Sequence, residues 1–265
     1  MLVTRIITAI VLGVAVTATI LFLPTQIAAA MLAVLWLAGA WEWAGLARLA
    51  GQQRALYVAL FALCMFPALF TFGRSAATLI LAIALVWWLV ALVALWNYPR
   101  RFSMVTVALA GFVVLLPSWA LLIHLHGLGP RGPELAMTVL VIVWAADVGA
   151  YGFGRWLGRV KLAPKVSPGK TWEGVSGGVA AAAAAAWAAA VWLDLPAGLL
   201  VGLGIATALI SVVGDLTVSM FKRNVGLKDS GKLLPGHGGV MDRIDSLTAA
   251  VPVFVLGMKF AGLLD

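Results

Sequence analysis

The sequence predicts an all-α fold, a polytopic transmembrane helical bundle with about nine membrane-spanning helices. Of the 265 residues, 63% are hydrophobic and only 11% are charged, which is more apolar surface than one water-soluble core could bury. The apolar residues are grouped in runs close to the length of about 20 residues that a helix needs to span a bilayer. Such runs are too long for the strands of a membrane barrel, so helices are the expected spanning elements.

Each apolar run predicts one span, in the order 5–23, 26–47, 55–72, 76–96, 103–125, 134–155, 175–193, 197–221 and 240–262. Arg5 and the first run resemble a secretory signal, but the length of the run favours an uncleaved first span. Together the spans predict a single integral membrane domain over residues 1–265. Residues 1–130 supply the N-terminal spans, and 131–265 supply the remaining spans and the loops that carry the candidate site.

The basic residues are distributed unevenly among the connections between predicted spans. Fourteen lie in or beside the even-numbered connections, whereas only Arg74 and Arg131 lie in the odd-numbered ones. This positive-inside bias predicts a multi-pass protein of the cell membrane, with the N-terminus and the even-numbered loops in the cytoplasm. The net charge of +8 therefore reflects topology, and no nucleic-acid partner is expected. Cys64 is the only cysteine, so the chain alone can form neither a disulfide nor a thiolate metal cluster.

Two of the predicted cytoplasmic loops, 155–173 and 222–240, combine lysine and arginine with glycine, proline and serine. Glycine lets a backbone approach a phosphate closely and basic side chains neutralise its charge, so both loops have the composition of an anion site. A flexible solvated loop is the alternative. The first loop contains Gly169-Lys170-Thr171, as a Walker A motif does, but Pro164 stands where that motif needs its first glycine. We expect this loop to bind phosphate through Lys170 without forming a P-loop, and Thr171 to cap the next span.

Aspartates lie inside three of the predicted spans, where a carboxylate costs about 2.5 to 3.5 kcal/mol on insertion scales. Asp147 and Asp215 each lie about eight residues from the predicted cytoplasmic end of a span, which is about 12 Å deep. Helical spacing gives three polar faces: Asp147 with Tyr151 and Arg155, Ser211 with Asp215 and Ser219, and Asp242 with Asp245 and Ser246.

Carboxylates beside two lysine-rich loops predict a Mg²⁺ and phosphate site, because Mg²⁺ takes few carboxylates and completes its shell with substrate oxygens and water. Buried salt bridges that lock helices together, such as Asp242 with Arg243 or Asp215 with Lys222, are the structural alternative. Proton or ion transport is another, since intramembrane acids indicate function without specifying which one.

Residues 219–245, SMFKRNVGLKDSGKLLPGHGGVMDRID, resemble the signature of the phosphatidate cytidylyltransferases, the CDP-diacylglycerol synthases. The spacing S-x-x-K-R-x4-K-D, followed by L-P-x-H-G-G and D-R-x-D, is long and specific. Residues 146–174 and the stretch WEWAGL at 41–46 are also similar to that family. Relatives often have phenylalanine-rich or Lys-Lys variants near positions 152 and 169, where this sequence has Gly152 and Gly169.

The resemblance implies a Mg²⁺-dependent nucleotidyltransferase of phospholipid biosynthesis that joins CTP and phosphatidate to give CDP-diacylglycerol and pyrophosphate. The lipid phosphate attacks the α-phosphorus of CTP, so the site must supply positioning and charge neutralisation, not a side-chain nucleophile. The expected partners are CTP, phosphatidate and membrane lipid, and a second cation is allowed because two-ion sites recur in phosphoryl chemistry. An ion-coupled secondary transporter and another CTP-dependent membrane lipid kinase are the alternative functions.

The candidate site residues divide into metal ligands, catalytic cations and substrate contacts. Asp215 and Asp242 are the expected principal Mg²⁺ ligands. Asp147 and Asp245 are expected to be secondary ligands or to bind the water molecules and ligands around the ion. Lys170, Lys222 and Arg223 are the expected catalytic cations. The expected substrate contacts are Ser219, Lys228, Lys232, His237, Gly238, Gly239, Arg243, Lys165, Ser167 and Asp147.

Three features outside these motifs have structural interpretations. Glu42 is expected to make a hydrogen bond that locks helices, with a substrate contact as the weaker alternative. His124 and His126 are expected to pack at the opposite interface. The alanine run at 180–190 and Gly198-x-x-x-Gly202 predict close helix packing within the chain, with a homodimer seam as the alternative.

Overall fold

The computed structural model describes residues 2–70, 74–231, 233 and 238–264, and the backbone of these residues is almost entirely helical. The helices are α1 (Leu2–Phe22), α2 (Thr25–Leu46), α3 (Gly51–Phe70), α4 (Arg74–Trp96), α5 (Met104–His126), α6 (Gly132–Trp156), α7 (Trp172–Leu193), α8 (Ala197–Asn224) and α9 (Met241–Phe260). Each helix lies where an apolar run predicts a span. The all-α polytopic bundle is therefore confirmed.

The number of spans is smaller than predicted. Within the described ranges, six helices are long and apolar enough to cross a membrane, namely α2, α4, α5, α6, α7 and α8. In α1 the segment Ile7–Phe22 is apolar but shorter. In α9 the first turns carry Asp242, Arg243 and Asp245, and charged side chains at this density are too costly for a lipid-facing segment. The first turns of α9 belong instead to the candidate site.

A short antiparallel β-hairpin, which the sequence pattern does not predict, interrupts the helices between α6 and α7. Its strands are β1 (Lys161–Ala163) and β2 (Ser167–Thr171). The amide of Val166 donates to the carbonyl of Ala163 at 3.1 Å, which closes a β-turn with Pro164 at its second position. Proline is favoured there because its fixed φ suits the turn.

Buried tryptophans join α2 to α5. Trp36 donates its indole N–H to Ser118 Oγ at 2.9 Å, and Trp43 donates to the carbonyl of Val107 at 2.7 Å. An indole N–H that finds an acceptor can be buried at little cost, so these large side chains hold the two helices in one register.

Small residues let α6 and α7 approach backbone to backbone. A β-carbon at Gly149 would lie 2.7 Å from the carbonyl oxygen of Gly177, so no larger residue fits. Further along α7, Ala182, Ala186 and Ala190 are buried within the chain, as the packing interpretation of the alanine run expects. This close contact places Asp147 on α6 beside the hairpin that leads into α7.

His126 is a packing residue, as predicted. Its ring nitrogens lie 3.0 Å from Thr25 Oγ1 and 2.8 Å from the carbonyl oxygen of Ile20. Both contacts join the end of α5 to the turn between α1 and α2, so this histidine is fully engaged in the fold.

Candidate active site

A cavity of about 650 Å³ opens between the hairpin and helices α6, α7, α8 and α9. Its polar and charged lining consists of Asp147, Tyr151, Arg155, Ser167, Lys170, Thr171, Ser211, Asp215, Ser219, Lys222, Arg223, Lys228, Asp229, Asp242, Arg243, Asp245 and Ser246. The structure thus brings together most of the candidate residues, although they lie up to about a hundred positions apart in the chain.

Three predicted substrate contacts do not line this cavity, and two more lie outside the described residues. Lys165 is exposed at the turn of the hairpin. Gly238 and Gly239 lie behind the cavity, against the first turn of α9. Lys232 and His237 lie outside the described residues, so the predictions for their side chains stay predictions. Arg155 and Asp229 line the cavity without having been assigned a role, although Asp229 follows Lys228 in the Lys-Asp pair of the motif.

The hairpin presents Lys170 to the carboxylate of Asp215 on α8. Lys170 Nζ lies 2.7 Å from Asp215 Oδ2, and the hydroxyl of Ser219, one turn further along α8, donates to Asp215 Oδ1 at 3.2 Å. The Asp215 carboxylate is therefore bound on both oxygens, by one cation and one hydroxyl. Both charged side chains remain about one-quarter exposed, at 25% and 26%, so the pair is accessible from the cavity.

The local sequence explains how Lys170 is held in place. Thr171 caps α7, because its hydroxyl oxygen accepts the backbone N–H of Gly174 at 3.1 Å, as predicted. The Glu173 carboxylate accepts the backbone N–H groups of Arg159 at 3.1 Å and Val160 at 3.2 Å, which ties the start of the hairpin to the same helix. With both ends fixed, β2 directs Lys170 towards α8. Strand β2 passes into α7 without the long glycine loop of a Walker A motif.

A second ion pair joins the end of α8 to the start of α9. Lys222 Nζ lies 2.8 Å from Asp242 Oδ1, and both side chains are largely buried, at 8% and 10% exposure. Asp242 Oδ2 accepts the backbone N–H of Ser230 at 3.0 Å and of Gly239 at 3.1 Å. Asp242 therefore holds both ends of the 230–239 segment in addition to the lysine.

The two ion pairs use partners other than those considered from the sequence. Asp215 pairs with Lys170 instead of Lys222, and Asp242 pairs with Lys222. Helical spacing puts Asp215 and Lys222 on the same side of α8. In the structure, however, Asp215 pairs with a lysine on β2, and Lys222 pairs with an aspartate on α9. Cross-element pairing of this kind requires the tertiary contacts, which spacing along one helix does not contain.

Ser246 connects the remaining two carboxylates. Its hydroxyl donates to Asp147 Oδ1 at 3.3 Å, and its backbone N–H donates to Asp245 Oδ1 at 2.8 Å. Asp147, Asp215 and Asp245 are near enough to one another for their charges to interact. Like charges in a confined space oppose one another's ionisation unless a cation is shared among them.

A divalent cation held jointly by protein and substrate needs only one or two of these carboxylates. Among the described residues, no group of three or more His, Cys, Asp or Glu side chains forms a complete cation-binding cluster. Mg²⁺ does not require one, because it is commonly bound by one or two carboxylates with substrate phosphates and water as the other ligands. Asp242 fits this role less well, since both of its oxygens are already engaged with Lys222 and the 230–239 segment.

Arg223 fixes the hairpin against the end of α8. Its Nε donates to the carbonyl of Val166 at 3.1 Å, and another guanidinium nitrogen donates to the carbonyl of Leu227 at 2.9 Å. A guanidinium carries five N–H donors, so these two bonds do not exhaust the donors of Arg223, which also lines the cavity.

Glu42 on α2 supports the site from behind, which confirms the helix-locking interpretation. It is 1% exposed, and its carboxylate accepts the Ser230 hydroxyl at 2.8 Å. It also accepts the backbone N–H groups of Val240 at 3.1 Å and Met241 at 2.9 Å, which are otherwise unpaired at the start of α9. Gly239 packs against this carboxylate with no room for a β-carbon, and Gly238 has a φ of 81°, which favours glycine.

Comparison with known proteins places the site in a family context. The profile of the Cytidylyltransferase family matches residues 3–261. The chain is 46% identical to the phosphatidate cytidylyltransferase of Pseudomonas aeruginosa, over 84% of each chain. It is 42% identical to the phosphatidate cytidylyltransferase of Haemophilus influenzae, over 96% of this chain and 97% of that relative. A phosphatidate cytidylyltransferase of Brucella suis is 41% identical over 65% of this chain and 63% of its own.

These matches extend across both halves of the chain and include α2 with Glu42 as well as the helices and hairpin around the cavity. The chain belongs to the Cytidylyltransferase family.

Proposed function

We propose that this multi-pass membrane protein is a phosphatidate cytidylyltransferase, which joins CTP and phosphatidate to form CDP-diacylglycerol and pyrophosphate. The observation that carries the proposal is the cavity in which Lys170 and Lys222 face a cluster of aspartates at the ends of membrane helices. The printed names of the relatives support this choice of substrates.

The reaction exchanges one bond at phosphorus for another. An oxygen of the lipid phosphate bonds to the α-phosphorus of CTP while the bond from that phosphorus to the pyrophosphate oxygen breaks. Four anionic phosphate groups must therefore be brought together, and their repulsion is the main obstacle. Lys170, Lys222, Arg223 and Lys228 supply the opposing charge around the cavity, and no side-chain nucleophile is needed.

The lysine–aspartate pairs also orient the cations before substrate arrives. A lysine alone has several flexible torsions, but Lys170 is fixed by Asp215 and Lys222 by Asp242. A cation already held in position loses little entropy when it contacts a phosphate. Ser219 fixes Asp215 in turn, so we propose that its hydroxyl acts on substrate through that carboxylate.

We propose Mg²⁺ as the cofactor, held by Asp215 together with Asp147 or Asp245. When bound, the ion would neutralise charge on the triphosphate and the departing pyrophosphate. Asp242, the other ligand expected from the sequence, instead positions Lys222 and the 230–239 segment. A second cation remains part of the proposal, because three carboxylates share this part of the cavity.

We propose that the N-terminus and both site loops face the cytoplasm, where CTP is available, and that the membrane is the bacterial cell membrane. The charge distribution along the chain supports this orientation. A homodimer is also proposed. Its support is Gly198 and Gly202 on α8, where an added β-carbon would meet no atom of this chain within 4 Å.

Product analysis tests the function directly. Purified protein with CTP and phosphatidate should release pyrophosphate and no CDP. Release of CDP would instead identify a lipid kinase, and consumption of neither substrate would contradict an enzymatic role.

A further inference from the structure

A second cavity, of about 640 Å³, lies at the same end of the bundle as the candidate active site. It is enclosed by the end of α2, the connection between α4 and α5, and the end of α8. Four arginines line it, namely Arg48, Arg100, Arg101 and Arg223. Of these only Arg223 also lines the active-site cavity, so the two spaces are neighbours that share one wall.

The wall of this second cavity is built from fixed elements. Asn224 on α8 accepts the backbone N–H of Phe102 at 3.0 Å and donates to the carbonyl of the same residue at 3.2 Å. This paired contact holds the α4–α5 connection, and with it Arg100 and Arg101, against the end of α8. Arg223 is fixed by its two carbonyl acceptors described above.

Arg48 reaches the cavity from an unusual backbone position. It follows the last turn of α2 with a φ of 59°, a conformation that glycine adopts far more readily than arginine. The helix end alone would favour glycine at this position, yet the position carries a guanidinium that lines the cavity.

Charge complementarity identifies the class of ligand. Among the described residues that line the second cavity, none is acidic, whereas four are arginines. The positive-inside rule accounts for basic residues on this side of the membrane, but it does not require them to converge on one cavity. Guanidinium groups bind phosphate in a bidentate manner, so an anionic phosphate group is the complementary ligand.

The position of the cavity selects a lipid over a soluble anion. Its lining lies at the ends of membrane helices, and α4 ends beside it with Trp96, which is 90% exposed, followed by Tyr98. Tryptophan and tyrosine at helix ends mark the level of the lipid head groups. Phospholipid phosphates lie at that level and are present at high local concentration.

We propose that this arginine cavity binds the phosphate group of an anionic phospholipid, as a second lipid site separate from the active site. The proposal concerns binding by Arg48, Arg100 and Arg101, none of which lines the active-site cavity. It does not depend on the reaction proposed above.

A titration of detergent-solubilised protein with dioctanoyl phosphatidylglycerol, followed by native mass spectrometry, tests the proposal. This lipid carries an anionic phosphodiester but is not phosphatidate. Arg100→Gln with Arg101→Gln should weaken its binding by about fivefold or more, because two cations near the phosphate are lost. The matched control is Arg159→Gln with Lys161→Gln, which removes two exposed charges from the hairpin region and should bind like wild type.

Arg48→Gly provides a second variant that should remain folded, because glycine suits its φ of 59°. It should also weaken lipid binding, whereas Asp194→Gly, at the other described non-glycine position with positive φ, should not. Equal binding by wild type and both arginine variants would overturn the proposal, as would equal losses in the control variants. Displacement of the lipid by millimolar inorganic phosphate would overturn the lipid assignment in favour of a soluble anion.

Discussion

Lys170 on β2 and Asp215 on α8 form an ion pair of 2.7 Å that joins the hairpin to the helix carrying the middle of the candidate site. The pair lies 45 positions apart in the sequence and is accessible from the cavity. A cation held in this way is oriented for a phosphate before the phosphate arrives. Strand β2, with the sequence SPGKT, therefore supplies a positioned cation for the proposed phosphate transfer.

Lys170→Met should lower the rate of CDP-diacylglycerol formation by about 100-fold or more, because a positioned charge is lost from the transition state. The melting temperature should change little, since a pair this exposed contributes about 0 to 1 kcal/mol to stability. Turnover and thermal unfolding of the purified variant test both statements. Lys161→Met, at the exposed first position of β1, is the matched control and should keep its activity. Full activity in Lys170→Met would contradict the proposed role.

Asp215→Asn and Asp242→Asn should both abolish turnover but should differ in stability. Asp242 forms a largely buried pair with Lys222 and binds two backbone N–H groups, so its replacement should cost about 3 kcal/mol or more. Asp215 is more exposed, and its variant should unfold at a temperature close to that of wild type but should lose any thermal stabilisation by added Mg²⁺. If Asp242→Asn unfolds like wild type and also loses stabilisation by Mg²⁺, Asp242 is a metal ligand.

Glu42→Gln should destabilise the protein by about 3 kcal/mol, because an amide cannot replace a buried carboxylate that accepts three hydrogen bonds. Trypsin should then cleave at Lys228 faster than in wild type, since Glu42 holds the adjacent Ser230. Glu134→Gln, in the first turn of α6, is the matched control and should affect neither measurement. Unchanged cleavage and unfolding in Glu42→Gln would show that the segment is held by other contacts.

A cysteine at Ser167 should react with a membrane-impermeant reagent only from the cytoplasmic side, and one near Gly129 only from the outside. Both are introduced after Cys64→Ala, so that the introduced thiol is the only one in the chain. The expected pattern follows from the excess of basic residues on the side of Ser167. The reverse labelling pattern would overturn the proposed orientation and the side from which CTP enters.

Pro164→Gly completes the Walker A pattern in sequence but should confer no ATP hydrolysis. In the structure Pro164 occupies the turn of a β-hairpin, and the following Gly-Lys-Thr lies on β2. A phosphate release assay with the purified variant tests this. ATP hydrolysis above the wild-type level would mean that the hairpin can refold into a phosphate-binding loop.

Much of the candidate site could be predicted because it follows helical periodicity. Asp147 and Asp215 were placed at similar depth from their distances to the span ends, and both line one cavity in the structure. The strands of the hairpin have only three and five residues, and a stretch rich in glycine and proline gives no alternating pattern to detect. Pro164 is the residue whose local backbone preference fits the observed turn.

The contacts of Glu42 illustrate what sequence periodicity does not contain. The residue was correctly interpreted as a helix lock, but its partner Ser230 lies 188 positions away. The pairing of Asp242 with Lys222 likewise depends on how α8 meets α9. Among the described residues fewer spans are shown than the nine predicted, and for α9 the reason is the polar first turns that precede its apolar part.

The most direct test of the proposed reaction is to determine which phosphate of CTP is transferred to the lipid. Purified protein is incubated with phosphatidate, Mg²⁺ and CTP labelled either at the α-phosphate or at the γ-phosphate, and the extracted lipid is counted. Label from the α-phosphate should appear in CDP-diacylglycerol, none should enter from the γ-phosphate, and Asp215→Asn should incorporate neither. Incorporation from the γ-phosphate, or no incorporation by the wild-type protein, would contradict cytidylyl transfer.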